Sequence, residues 1–203
     1  MKYRAFYLDL NTRRVTAWFA LGLTFLLTTG ISMRANAQSP TATASSAKVE
    51  DQQSFAMIGV SVRTNHWKEA GGNGEITNLW ARAMQDGTFD RIPNRADTNI
   101  VAVYTNYATD QNGEFTYVLG ARVTSIDKVP DGFVAVTIPA GKYAAVQTDK
   151  GALADVMPKV WQRIYAMPAK ELGGERAFKV DYEVYPARFD WQNAQIDVHL
   201  GLK

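Results

Sequence analysis

The chain repeats itself, and that repetition constrains the fold more than any other feature. Ile76, Leu79, Trp80 and Arg82 recur as Met157, Val160, Trp161 and Arg163, each 81 residues later. Leu119-Gly120 recurs as Leu200-Gly201 at the same offset. Tyr104 and Tyr107 align with Tyr182 and Tyr185 at an offset of 78, and Val62 and Thr64 with Val146 and Thr148 at 84. The drift falls across loops, where insertions are tolerated. Such a chain is two copies of one supersecondary unit, and each copy needs the other to cover its apolar surface.

Apolar spacing identifies the unit. Residues 55–64 (FAMIGVSVRT) read as a strand, and 76–84 as a helix with Ile76, Leu79, Trp80 and Ala83 on one face. Residues 100–107 and 115–123 form a hairpin around Asp110-Gln111-Asn112-Gly113. In the second copy, 143–147 read as a strand, 153–167 as a helix ended by Pro168, and 178–185 with 195–202 as a last hairpin. An additional strand, 133–138, stands near the join. The expected fold is α+β: a duplicated β-α-β-β unit with pseudo-twofold symmetry, whose antiparallel sheet carries two helices and a central ligand cleft. The halves run over about 55–125 and 140–203. A three-stranded sheet with one helix leaves a face or edge uncovered, and joining the copies covers it. The seam is the natural place for a ligand.

The charge is unevenly placed. Of 22 basic and 20 acidic residues, Lys2, Arg4, Arg13, Arg14 and Arg34 lie at the front with Asp9 alone against them. An apolar run from Val15 to Met33 and the triplet Ala35-Asn36-Ala37 complete the pattern of a secretory signal peptide over 1–37. Thr24, Thr28, Thr29, Gly30 and Ser32 weaken the end of that run, which favours cleavage after Ala37 over retention as an anchor. Cleavage leaves 17 basic and 19 acidic residues, net −2, so the basic pI of 8.8 belongs to the leader. Nucleic-acid binding thereby loses its main support. The mature chain is expected to be exported, to periplasm or exterior, with no membrane span. Residues 38–53 are small and polar and read as a flexible linker ahead of a domain over 54–203. The absence of cysteine excludes disulfides, thiolate metal sites and a thiol nucleophile.

Little catalytic machinery is visible. The two histidines, His66 and His199, are far apart in sequence, and His66 with Glu69 is only an i, i+3 pair, so no metal site and no cofactor are implied. There is no G-x-S-x-G elbow, and the glycines at 71–74 lack the rest of a phosphate loop. The informative segment is Lys179–Tyr185 (KVDYEVY). Asp181, Glu183 and Tyr185 share one strand face, and Val180, Tyr182 and Val184 the other. The apolar set is expected under the helices, which turns Glu183 to the opposite face. At the 78-residue offset its counterpart is Thr105, so the acid is not demanded by the repeat. A carboxylate among aromatic rings selects a flat, apolar cation. Trp80, Trp161, Tyr107, Tyr117, Phe115 and Tyr185 are the candidate walls, with core packing the competing explanation for both tryptophans.

Ile76-x-x-Leu79-Trp80, Tyr104-x-x-Tyr107, Phe115-Thr116-Tyr117-x-x-Gly120, Ile138-Pro139-Ala140-Gly141-x-Tyr143, Trp161-x-x-Ile164 and Tyr182-Glu183-x-Tyr185 together resemble the GyrI-like family. This family includes the effector-binding domains of AraC-type and multidrug-responsive regulators and stand-alone integron-associated proteins. The resemblance covers about 55–203 and implies a duplicated β-α-β-β fold. It also implies a lipophilic, often cationic, small molecule in the cleft, with Glu183 at the position of a pocket-floor glutamate. Some relatives hydrolyse small molecules with such a carboxylate, so an enzyme using Glu183 as general acid or base is the alternative, and an envelope protein-interaction module a third. No helix-turn-helix accompanies the domain in this sequence.

Overall fold

The computed structural model describes residues 47–71 and 74–203. The proposed leader and residues 38–46 lie outside the described residues. Eight strands and four helices are built: β1 (Lys48–Gln52), β2 (Phe55–Thr64), α1 (His66–Ala70), α2 (Glu75–Gln85), β3 (Ile100–Thr105), β4 (Phe115–Val123), β5 (Val134–Ile138), β6 (Gly141–Gln147), α3 (Leu153–Ala166), α4 (Ala169–Leu172), β7 (Arg176–Tyr185) and β8 (Asp197–Leu202). The α+β class is as expected. No helix among the described residues is long and apolar enough to cross a membrane.

Local chemistry sets the main boundaries. The β3–β4 connection turns where Asp110 accepts from the Asn112 amide and Gly113 donates back to the Asp110 carbonyl. The Glu69 carboxylate accepts from the Glu75 and Ile76 amides and so holds the start of α2, which has no side-chain cap of its own. The Met167 amide bonds the Ile164 carbonyl, and the following Pro168 stops α3.

All eight strands form one antiparallel sheet in the order β1-β6-β8-β7-β3-β4-β2-β5. The two copies are β2-β4-β3 and, in mirror order, β6-β8-β7, joined across β3 and β7. Residues 48–52, expected in a flexible linker, instead form β1, paired along its length with β6. Its residues Lys48, Glu50, Asp51 and Gln52 are polar, and most of the strand faces solvent, so it carries no apolar signal to read. It is the counterpart of β5. Each copy therefore begins with a strand lent to the edge of the other, and the unit is β-β-α-β-β.

This exchange forces the sheet to curl. Only Gln53 and Ser54 separate β1 from β2, and only Pro139 and Ala140 separate β5 from β6, yet β1 and β5 end the strand order. A flat eight-stranded sheet would put β1 six strands from β2, and β5 six from β6, roughly 29 Å at about 4.8 Å per strand. Two residues cannot bridge that distance. Lys48 opposite Ala145 and Phe55 opposite Ile138 belong to one continuous register, so the sheet wraps round on itself. Phe55, Met57, Val101, Val103, Val118, Ile138, Tyr143, Val180 and Tyr182 fill its inner side. The outer side carries α2 and α3 on a larger core that includes Leu79, Ala83, Val160, Trp161 and Ile164. At Gly120 and Gly201, equivalent in the two copies, the neighbouring backbone comes too close for a side chain. A Cβ at Gly120 would overlap the Ile58 carbonyl, and one at Gly201 would lie 2.6 Å from the Val180 carbonyl oxygen.

Candidate functional site

Tyr104 and Tyr185 both lie on the helix side of the sheet, whereas Tyr182 lies on the inner side. The copies therefore superpose at the 81-residue offset throughout β3 and β7, and not at 78. Tyr104 corresponds to Tyr185, and Ala102, not Thr105, corresponds to Glu183. In the β3–β7 ladder Ala102 pairs with Glu183. A residue paired with its own repeat equivalent stands on the pseudo-twofold axis. The axis thus passes between an alanine, which leaves room, and a single carboxylate.

Apolar alternation along 180–184 predicts Glu183 on the side away from the helices; the structure places it beneath them. A curled sheet has two apolar sides, and Val180 and Tyr182 fill the inner one, which leaves the outer, aromatic side to Glu183. There it is 1% exposed. Its Oε1 accepts from Tyr104 Oη at 2.9 Å and Trp161 Nε1 at 2.9 Å, and its Oε2 from Tyr185 Oη at 2.6 Å. Burial pushes its pKa up, and the hydrogen bonds from Tyr185, Trp161 and Tyr104 pull the other way. Burial, with the charge of Glu183, holds the phenols of Tyr104 and Tyr185 well above their ordinary value, so both remain donors at neutral pH.

All seven candidate residues meet in this one cluster. Trp161, on α3, packs on Tyr104 at 4.7 Å between ring centroids. Trp80, on α2, donates from Nε1 to Tyr117 Oη at 2.8 Å and meets Tyr185 edge-on at 4.9 Å. Tyr117 meets Tyr104 edge-on at 5.0 Å. Phe115 is fully buried and lies 5.3 Å from Tyr104 and 5.8 Å from Tyr107. Tyr107 reaches this side because Asn106, at φ 51°, breaks the strand alternation after Thr105. Its hydroxyl donates to Asp181 Oδ2, not to Glu183.

Several residues of the cluster carry no singular sequence signal. Tyr104 becomes visible only when the 81-residue offset is applied to every element. His66, in α1, leans on Phe115 at 4.8 Å and pairs with the Tyr165 hydroxyl. Burial and the nearby Arg176 push its pKa down to about 4, so it is neutral at pH 7. Asp181 is fully buried. It accepts from Arg176 Nη2 at 2.6 Å, from Tyr107 and from the Gly201 amide. Between Arg176 and Asp181 the β7–β8 register shifts, and Phe178 sits at φ 49°, a backbone region that aromatic residues rarely adopt. Nothing in the local sequence announces that bulge.

Known proteins place the fold. The family described as integron-associated effector binding protein matches residues 48–201. The Bacillus subtilis protein YobU, named as a candidate transcriptional regulator, is 27% identical over 155 residues, covering 75% of this chain and 94% of its own. The transcriptional regulator BrlR of Pseudomonas aeruginosa is 32% identical over 159 residues, covering 77% of this chain but 55% of its own, so the chain spans about half that relative. Among solved structures, an integron cassette protein from the mobile metagenome of Vibrio cholerae superposes with TM-score 0.61 at 21% identity, over 78% of this chain and 96% of its own. SAV2435, solved bound to tetraphenylphosphonium, superposes with TM-score 0.59 at 12% identity, over 77% and 93%. Similarity at that level speaks for the fold alone.

Proposed function

We infer the function of this chain from the premise that it belongs to the integron-associated effector-binding protein family. We propose that it holds a lipophilic, cationic small molecule on Glu183, at the seam of its two repeats. The observation that carries this reading is the wholly buried carboxylate ringed by Tyr104, Trp161 and Tyr185. An ionised carboxylate out of water is costly unless a cation or strong donors compensate it. The three donors compensate in part, and burial still holds the pKa above its ordinary value. An aromatic cation supplies the rest, with ring faces for cation–π contact. The relative solved with tetraphenylphosphonium offers a probe of the right chemistry.

Export is part of the proposal. It rests on the basic start, the apolar run from Val15 to Met33 and Ala35-Asn36-Ala37, and it places ligand capture outside the cytoplasm. The raised pKa of Glu183 supports a second reading, a small-molecule hydrolase in which Glu183 is the general acid or base. One experiment separates the two. In a thermal-shift panel of aromatic cations, binding raises the melting temperature of the wild type but not of Glu183→Gln, and recovered ligand is unchanged. No shift with any cation, or a shift that survives in Glu183→Gln, overturns the binding reading. Turnover that is lost in Glu183→Gln establishes the enzyme instead.

A further inference from the structure

Arg176 is 7% exposed, and its side chain 5%. Its Nη2 pairs with Asp181 at 2.6 Å. Among the described residues no acceptor lies within hydrogen-bond distance of Nε or Nη1. Native interiors rarely leave buried donors unpaired, and a guanidinium carries donors on every edge. Asp181 meets the guanidinium through Nη2 alone, and its oxygens also accept from Tyr107 and the Gly201 amide.

The guanidinium borders the Glu183 site. Its carbon lies 4.4 Å from the Phe178 ring and 6.0 Å from the Trp161 ring, and Trp161 is the residue whose indole N–H binds Glu183. The β7 bulge, with Phe178 in the left-handed region, folds the strand so that Arg176 lies against Asp181. Strain of this kind persists where the surroundings hold it and gathers at ligand sites. Asp181 and Glu183 project from the same face two residues apart, roughly 7 Å along a strand. One aromatic ring spans such a distance.

We propose that the site is bipolar: Glu183 takes the cationic end of an aromatic ligand, and Arg176 takes a carboxylate or comparable anionic acceptor at its other end. This inference rests on Glu183 as the cation site and adds a second determinant to it. The ligand class becomes an aromatic zwitterion. Arg176 is suited to the task because its planar donors meet a carboxylate directly and its charge persists at any working pH.

The test uses three probes with the purified protein, read by isothermal titration: benzyltrimethylammonium, its 4-carboxylate, and the methyl ester of that carboxylate. The wild type binds the carboxylate about tenfold or more tighter than the parent cation, and the ester loses that gain. In Arg176→Lys, which keeps a positive charge for Asp181 but not the planar donors, the ratio of carboxylate to parent-cation affinity falls to about that of the ester. Equal or weaker binding of the carboxylate, or a gain that survives in Arg176→Lys, overturns the bipolar site while leaving the cation site standing. Absence of binding by all three probes overturns both. Should Arg176→Lys fail to fold, the comparison of carboxylate and ester in the wild type decides the question alone.

Discussion

Ala102 and Glu183 face each other across the pseudo-twofold axis, and the consequences are local. Two acids at that position would be like charges in direct contact and out of water. We predict that Ala102→Glu lowers unfolding stability by about 3–5 kcal/mol, the cost of an uncompensated buried charge. A urea midpoint within error of wild type would refute it. His66 gives a second prediction. Its pKa of about 4 means the folded state binds fewer protons than the unfolded state between pH 6.5 and 4. The stability it lends is complete above pH 6.5 and lost as pH falls through that window. Nitrogen-15 NMR of the imidazoles is expected to give His66 a midpoint near 4 and not near 6.5. Glu183, with its raised pKa, works in the opposite sense, favouring the fold at low pH and losing that contribution as pH rises. At this scale the sequence singled out Glu183 and its aromatic company, but not its neighbours. Arg176 and Asp181 meet only because a bulge folds β7, and a bulge with phenylalanine at its centre has no signature in the residues.

Among the elements, the repeated helices are legible because apolar residues mark one face of each, and β2 and β4 because they are apolar, β-branched runs bounded by polar turns. β1 is not, because a polar edge strand looks like a linker until its partner is known. The face of β7 was misread for a related reason: alternation separates two faces, but only the curl of the sheet says which face lies under the helices. Gly120 and Gly201 record that curl. Gly120→Ala would force a Cβ into the Ile58 carbonyl, between two paired strands that cannot separate without breaking their ladder. We expect a loss of roughly 2–3 kcal/mol by chemical denaturation, typical of overpacking a rigid interior. A change under about 0.5 kcal/mol, the range of ordinary surface substitutions, would contradict the close approach.

The described domain is a duplication in which each half lends a strand to the other and the sheet wraps round on itself. Duplication brings two equivalent tyrosines, Tyr104 and Tyr185, to the axis, and divergence of one residue pair places a single carboxylate between them. Symmetry supplies the aromatic surround and the broken symmetry supplies the charge. The central claim is that this charge, and not the apolar surround alone, selects the ligand. Tetraphenylphosphonium and tetraphenylborate share one shape and carry opposite charge. Calorimetric titration is expected to show that the wild type binds the cation and not the anion, and that Glu183→Gln lowers affinity for the cation by about tenfold or more. Equal affinity for the two ions, or a cation preference that persists in Glu183→Gln, would contradict it.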